Sequence, residues 1–386
     1  MAEAATLERA AARELQVRVA EDEADRRRIY AFRYRVQVEE LGLEPRGTDR
    51  KAKLVRDAFD DVAMHLYVTQ GGETQAAMRL LPGAAALPEA LREAYLIDRF
   101  ARWGDRALSF SDELLVARAW RKSAIPAVLL GAGYKLLRRQ GARFDFCRCP
   151  PALIGLFQKL GYRRYAKNYV DPDAGLQTPM ALVLDDLPHL VEMNSPFAPH
   201  ALKRRNADDA AQWFRREFPE AERYVGKRMR DEERFWVYLT EQLHQTPLVG
   251  LPLLNGLSFA EAKQMLGRAT VLNLESGERL VRAGDVGSEM FLLLSGAAEA
   301  RTAGDVAKRL ASFRPGALFG EIAFLSALPR SADIVATMDS EVLVLTQDVL
   351  QRIMQAQPSL AARLLFNLSL ILCQRLRDST RSLAAA

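Results

Sequence analysis

Between residues 277 and 316 the chain places turn residues at regular intervals: Gly277, Gly284-Asp285, Gly287, Gly296, Gly304-Asp305 and Pro315-Gly316. Short apolar runs fill the gaps. Strands this short cannot bury their apolar faces singly, so the segment is read as a small β-sandwich or β-roll. A helix, SFAEAKQMLGRA (258–269), precedes it. Another runs from Pro358 to Ser382, with Leu360, Leu364, Leu368, Ile371 and Leu376 expected on one stripe.

The rest of the chain follows another rule. Of 386 residues, the first 200 alternate strand and helix signals. LQVRVA (15–20) alternates as a strand, and EADRRRIYAFRYRVQVEELG (23–42) has helical spacing with a glycine stop. AMHLYVTQGGETQAAMRLLPG (63–83) reads as two strands around Gly71-Gly72, and SDELLVARA (111–119) as a third. IPAVLLGAGYKLLRRQG (125–141) and PPALIGLFQKLG (150–161) start on proline and stop on glycine, as helices do. ARFDFCRC, YRRYAKNYV and TPMALVLDD complete the strands. The fold class expected is α+β. A mixed α/β body spans 1–200, a helical connector 201–250, and a β-roll with flanking helices 251–386. The connector carries Trp213, Phe214, Phe218, Tyr224, Phe235, Trp236 and Tyr238, an aromatic load expected to pack between the two domains.

Charge and cysteine content exclude several classes. Lys and Arg number 54 against 49 Asp and Glu, a net +5 with the signs interspersed, which gives little footing for nucleic acid. Cys147, Cys149 and Cys373 form neither a disulfide framework nor a zinc site, and no metal is expected. The acidic, alanine-rich start is unlike a signal peptide. The apolar run around Leu368–Cys373 falls short of the ~18 residues that a membrane span needs. A cytoplasmic protein is expected.

FGEIAFLSALPRSADIVA (319–336) holds an acid and an arginine at the two ends of an apolar stretch. Gly320 admits a close backbone approach, and Glu321, Ile322 and Ala323 can open a helical turn whose free N–H groups favour an anion. Arg330 offers a guanidinium fork suited to phosphate, with Ser331 and the Ala332 N–H as further donors. Glu321 would repel a bare phosphate, but it suits a ribose hydroxyl beside one. Together these describe a cyclic nucleotide.

The residues GERLVRAGDVGSEMFLLLSGAAEA and LASFRPGALFGEIAFLSALPRSADIVA resemble the cyclic nucleotide-binding domain of the catabolite-activator and kinase regulatory-subunit family. The resemblance implies that Glu321 holds the ribose 2′-hydroxyl. It implies that Arg330 binds the cyclic phosphate with Ser331 and the N–H groups of Gly320–Ala323. Arg375, Arg377, Ser379 and Thr380 would contact the base. The ligand would be cAMP or cGMP, with a lean to cAMP. The long last helix is a candidate homodimer face. No helix-turn-helix follows it here, so no DNA reading is expected.

Residues 15–185 are similar to the Gcn5-related N-acyltransferase superfamily. YAFRYRVQVEELGLE, RDAFDDVAMHLYV, MRLLPG, FQKLGYRRY and PHLVEMNSPFAP resemble its acyl-homoserine-lactone synthase and N-acyl amino acid synthase branch. The resemblance implies acyl transfer from an acyl-CoA or acyl-carrier-protein thioester, held between two splayed central strands, to an amine. Arg121, Lys122 and Ser123, ahead of the helix at Ile125, stand where the donor's phosphates bind. Ser123 replaces an expected glycine, so a carrier protein docked on Arg33, Arg35, Arg138 or Arg139 is the alternative donor. The base is expected to be Glu113, then Asp60, with Asp57 and Asp112 nearby. Arg79 is placed to hold an acceptor carboxylate, and Tyr162 or Tyr165 to protonate the departing thiolate. The overall expectation is a cyclic-nucleotide-regulated N-acyltransferase. A sensor with a non-catalytic, partner-binding N-terminal module is the alternative.

Overall fold

The computed structural model describes residues 16–121, 123–171, 175–201, 208–219, 221, 251–266, 269–285, 287, 289–304, 307–326 and 328–384. The chain divides into two compact units, the first mainly before residue 225 and the second mainly after it.

The first unit is built on one sheet. Its strands are β1 (Val17–Val19), β4 (Met64–Gln70), β5 (Glu73–Pro82), β6 (Leu108–Val116), β7 (Phe144–Cys149), β8 (Arg163–Arg164), β9 (Tyr169–Asp171) and β10 (Gly175–Val183). A small separate hairpin, β2 (Thr48–Asp49) and β3 (Leu54–Val55), precedes β4. The sheet order is β1-β4-β5-β6-β7-β10-β8, with β9 paired to β10. Among the described residues, β6 and β7 form the parallel pair of this sheet. Between them the chain crosses over through α3 (Ile125–Gln140), the connection that a parallel pair requires. Pro126 in its first turn and Gly141 at φ +93 after its last set the limits of α3. The YRRYAKNYV strand is reduced to the short pieces β8 and β9.

α1 (Glu23–Arg33) starts where the Asp22 side chain accepts from the Asp25 N–H at 2.8 Å. Sequence spacing predicts a single helix to Gly42. Instead, residues Tyr34–Glu40 widen into a π-helix, with the Leu41 N–H reaching back to Val36 O. α2 (Glu89–Ala94), α4 (Ile154–Leu160), α5 (Leu187–Glu192) and α6 (Asp208–Glu217) complete the unit.

One face of the sheet is aromatic. Phe100, Phe110, Phe144, Phe146 and Tyr165 form it, and Trp213, Phe214 and Phe218 close it. This corrects the expectation for the start of the connector: α6 belongs to the core of the first unit. Tyr224, Phe235, Trp236 and Tyr238 lie outside the described residues.

The second unit is a β-roll of two four-stranded sheets. One runs β11 (Thr270–Leu274), β18 (Ser340–Thr346), β13 (Glu289–Ser295), β16 (Leu318–Phe319). The other runs β12 (Arg279–Val281), β17 (Asp333–Ala336), β14 (Ala298–Arg301), β15 (Arg309–Phe313). Gly296, at φ +83, makes the turn into β14; a Cβ there would lie 2.4 Å from Asp339 O. The helices are α7 (Phe259–Leu266), α8 (Glu321–Ser326), α9 (Gln347–Ala356) and α10 (Pro358–Ala384). Leu360, Leu364 and Leu368 of α10 pack into the core with Leu253, Met265 and Leu345, and Ile371 lies against it. Leu376 does not share that stripe and is 70% exposed. By length and composition alone, Pro358–Asp378 passes the test for a membrane span, which the sequence reading did not find. One stripe of it packs into the roll, and 28% of its most apolar stretch is buried.

Candidate functional site

In the β-roll, Gly320 links β16 to α8 at φ +81; a Cβ there would lie 2.8 Å from Arg330 Nη1 and 3.3 Å from Glu289 O. Arg330 is buried. Its Nη1 donates to Glu289 O at 2.8 Å and to Gly320 O at 3.1 Å. Nη2 lies 3.3 Å from Glu289 Oε1 yet makes no hydrogen bond. Gly287 gives it room, since a Cβ there would meet Nη2 at 2.4 Å. Burial lowers the Arg330 pKa, and the Glu289 carboxylate only partly offsets this. A buried cation with an idle donor is short of acceptor oxygens, and a phosphate supplies them.

Glu321 opens α8 and is buried. It does not pair with Arg330. Arg375 from α10 donates to Glu321 Oε1 at 2.5 Å and also reaches Leu318 O. Ala323 is buried, Ile322 exposed, Ser331 exposed and Ala332 half-buried. Arg377 and Thr380 bond within α10, to Gln374 and Leu376 O, and the Ser379 side chain lies outside the described set. Arg375 therefore bonds the residue expected to hold the ribose. The residues present fit a cyclic nucleotide at both its phosphate and its ribose.

In the first unit, β6 and β7 pair over four positions, from Leu108↔Phe144 to Ser111↔Cys147. Both strands run on beyond that point, to Val116 and Cys149, without pairing to each other, while β6 stays paired to β5 and β7 to β10. This is the expected splay. On its other edge β6 carries a bulge: Ala77 and Arg79 of β5 face Leu115 and Asp112. Glu113 sits in the bulge at φ +50, a left-handed backbone conformation that costs a non-glycine residue energy. Its carboxylate accepts from Gln37 Nε2 at 3.0 Å and lies 3.9 Å from Arg33 Nε.

Beside it is a buried ion cluster. Arg33 holds both oxygens of Asp60, at 2.8 and 2.9 Å, and touches His65 Nδ1 at 3.3 Å. Arg79 reaches Asp112 through two bonds of 2.7 and 2.8 Å, Asp57 at 2.5 Å and Asp60 at 2.9 Å. Burial would raise the Asp60 pKa, but the charges of Arg33 and Arg79 outweigh it and hold it low. In the same way, Arg79, Arg148 and Arg33 bring Asp112 down to about 2 against its burial. Three expectations are corrected. Asp60 is gripped by two cations and is a poor base. Arg79 is saturated by carboxylates and has no fork left for an acceptor. Arg33 is internal, so no carrier protein docks on it.

Tyr162 is also internal: its hydroxyl donates to Asp145 Oδ2 at 2.5 Å. Asp145 accepts from Ser109 and Ser111 as well, at 2.7 Å each, and burial pushes it up to about 6. The Tyr162 pKa is raised, first by burial and then by the Asp145 charge, so it is a weak acid for a thiolate. Tyr165 donates to Tyr95 O at 2.6 Å inside the aromatic core. Ahead of α3, Ser123 Oγ caps the Ile125 N–H at 3.1 Å, and Arg121 is tied to Val116 O and Glu40. Arg121 and Ser123 are exposed at the surface with these contacts, and Lys122 lies outside the described residues. Arg138 is bound to Asp185 and His200 O, Arg35 to Thr74 O and Glu73, while Arg139 is exposed. Gln37 was not anticipated. A glutamine on a helical pattern carries no chemical signature, and the π-helix that turns it inward has none either.

The family described as a cyclic nucleotide-binding domain matches residues 271–357, and the acetyltransferase (GNAT) domain family matches residues 32–130. The chain carries both domains. Its similarity to curated proteins includes Glutaminase 1 of Bradyrhizobium diazoefficiens, 33% identical over 34% of this chain and 21% of that protein. It also includes a cAMP-dependent protein kinase regulatory subunit of Colletotrichum orbiculare, 32% identical over 29% of each. The chain thus spans under a third of the length of either relative. A solved structure, the catabolite activator protein of Thermus thermophilus, is similar over 35% of this chain and 62% of its own, with 31% identity and a TM-score of 0.32.

Proposed function

We propose that the protein is an N-acyltransferase regulated by cAMP or cGMP. The catalytic body runs from the N-terminus through α6, the connector follows it to residue 250, and the sensor spans 251–386. The observation that supports the regulatory half is Arg330, a buried guanidinium with an unused N–H beside the Gly320 turn and Glu321. The catalytic half rests on Glu113, a partly exposed carboxylate on the β6 bulge where β6 and β7 separate. The donor is an acyl-CoA or acyl-carrier-protein thioester lying along that separation. The amine attacks the thioester carbonyl, the C–N bond forms and the C–S bond breaks. Glu113 takes the proton from nitrogen, and the thiolate leaves to be protonated by solvent. Nucleotide biases the enzyme only through its different affinity for two states of the chain. In this reading the protein is cytoplasmic and does not bind DNA. A second copy meets it along the exposed Phe366, Leu370 and Cys373 of α10.

The test is thioester consumption by the full chain with CoA and carrier-protein donors and a panel of amines, with and without cAMP or cGMP. Turnover that changes when nucleotide is added is expected. No turnover in either state overturns the catalytic reading and leaves a sensor with a partner-binding module.

A further inference from the structure

The π-helix Tyr34–Glu40 brings Gln37 inside, where it is 9% exposed. Its Nε2 donates to Glu113 Oε2, so its other end is the carbonyl oxygen. That Oε1 is buried and accepts no hydrogen bond. Nearby, Arg33 Nε is buried and donates none, 3.9 Å from the same Glu113 oxygen. Unsatisfied polar groups inside a protein are costly, of order 1–3 kcal/mol each, and two beside a carboxylate in a strained bulge mark a place where a ligand completes the bonding.

We infer that Gln37 is an acceptor-binding residue: its Oε1 and the Glu113 carboxylate together receive the N–H groups of the amine to be acylated. Its Nε2 at the same time fixes the carboxylate that takes the proton. An ammonium or amine suits the two acceptors, Gln37 Oε1 and the Glu113 carboxylate, because it brings several donors; Arg33 Nε, itself a donor, stays unpaired beside them. The cationic Arg33 and Arg79 next to it are already neutralised by Asp60, Asp57 and Asp112, so they do not repel it. A wide π-turn serves this purpose, since a regular helix would carry position 37 around at a different angle. The inference rests on the N-acyltransferase reading.

The experiment compares the full chain with Gln37→Leu and Gln37→Met, using whichever thioester and amine the wild type turns over. Methionine keeps the length of glutamine without its amide, so the interior is retained if leucine disturbs it. Melting temperature and cyclic-nucleotide affinity, which report on fold, are expected to stay at the wild-type values. KM for the amine is expected to rise about tenfold, the worth of one buried hydrogen bond. KM for the thioester is expected to stay within about twofold, which a general loosening of the sheet would not leave untouched. Wild-type turnover with an unchanged amine KM in both variants overturns the role of Gln37 and leaves Glu113 standing. A wild type without turnover on any pair overturns both.

Discussion

Arg79, inside β5, and Arg330, just ahead of β17, are both buried, but their surroundings differ. Arg79 meets three carboxylates through all three of its nitrogens. Arg330 meets two backbone carbonyls and one carboxylate at 3.3 Å, and one nitrogen is left without a bond. Their pKa values move in opposite directions: Arg79 rises because Asp112 and Asp57 outweigh its burial, and Arg330 falls because nothing outweighs it. A saturated buried cation is part of the scaffold. An undersatisfied one retains capacity for an anion from outside. A family resemblance assigns a ligand to each arginine, and only the local accounting of donors and acceptors separates them.

The comparison is broken first by removing Arg79. Arg79→Leu leaves Asp112 in the interior without its main counter-charge and removes one of the two cations that hold Asp60, and denaturant unfolding should report a loss of about 3–5 kcal/mol. A loss under about 1 kcal/mol would show that the cluster is not structural. Acid sharpens the same point. Asp112 is held near 2 in the folded chain, below its ordinary value of about 3.9 when unfolded. The unfolded chain therefore binds more protons in that window. The stability this carboxylate contributes is full above about 4 and is lost as pH falls toward about 2. In Arg79→Leu that acid-dependent part should shrink.

Arg330→Ala should give the opposite pattern. Cyclic-nucleotide affinity should weaken by about 1.5–3 kcal/mol, the scale of charge-assisted hydrogen bonds, while the fold loses less than it does at Arg79. Calorimetry with cAMP and cGMP measures it, and unchanged affinity removes the phosphate role.

The two sites were unequally legible in the sequence for a physical reason. Glu321 and Arg330 stand nine positions apart in one turn-helix-strand segment, so local geometry brings them near one site and their spacing is visible. Arg79 gathers Asp57, Asp60 and Asp112, separated by 22, 19 and 33 positions, through strand pairing and a capping turn. Nothing local announces that convergence, so each residue could be given a free catalytic or binding role that the others already occupy. The bulge at Glu113 was equally hidden, because a register shift depends on the partner strand. Strands, turns and the β-roll were readable because their periodicity and glycines are local. Arg375 falls between these cases: the last helix was expected to reach the pocket, but not the ribose carboxylate.

Arg375 supplies the smallest and most discriminating test of the comparison. It is the only cation bonded to Glu321 among the described residues, and its side chain is 36% exposed. A half-exposed ion pair contributes about 0.5–1 kcal/mol, so Arg375→Ala should weaken cyclic-nucleotide binding by no more than about fivefold. The reason is that Glu321 must stay charged and oriented to accept a ribose hydroxyl. Without Arg375 it is a buried carboxylate whose remaining counter-charge is the more distant Arg330. Arg375→Lys should recover part of the loss, since a lysine keeps the charge but not the second bond to Leu318 O. An affinity that rises in Arg375→Ala would mean the opposite. Arg375 would then be competing with the ribose for Glu321, and Glu321 would be as saturated within the protein as Arg79 is.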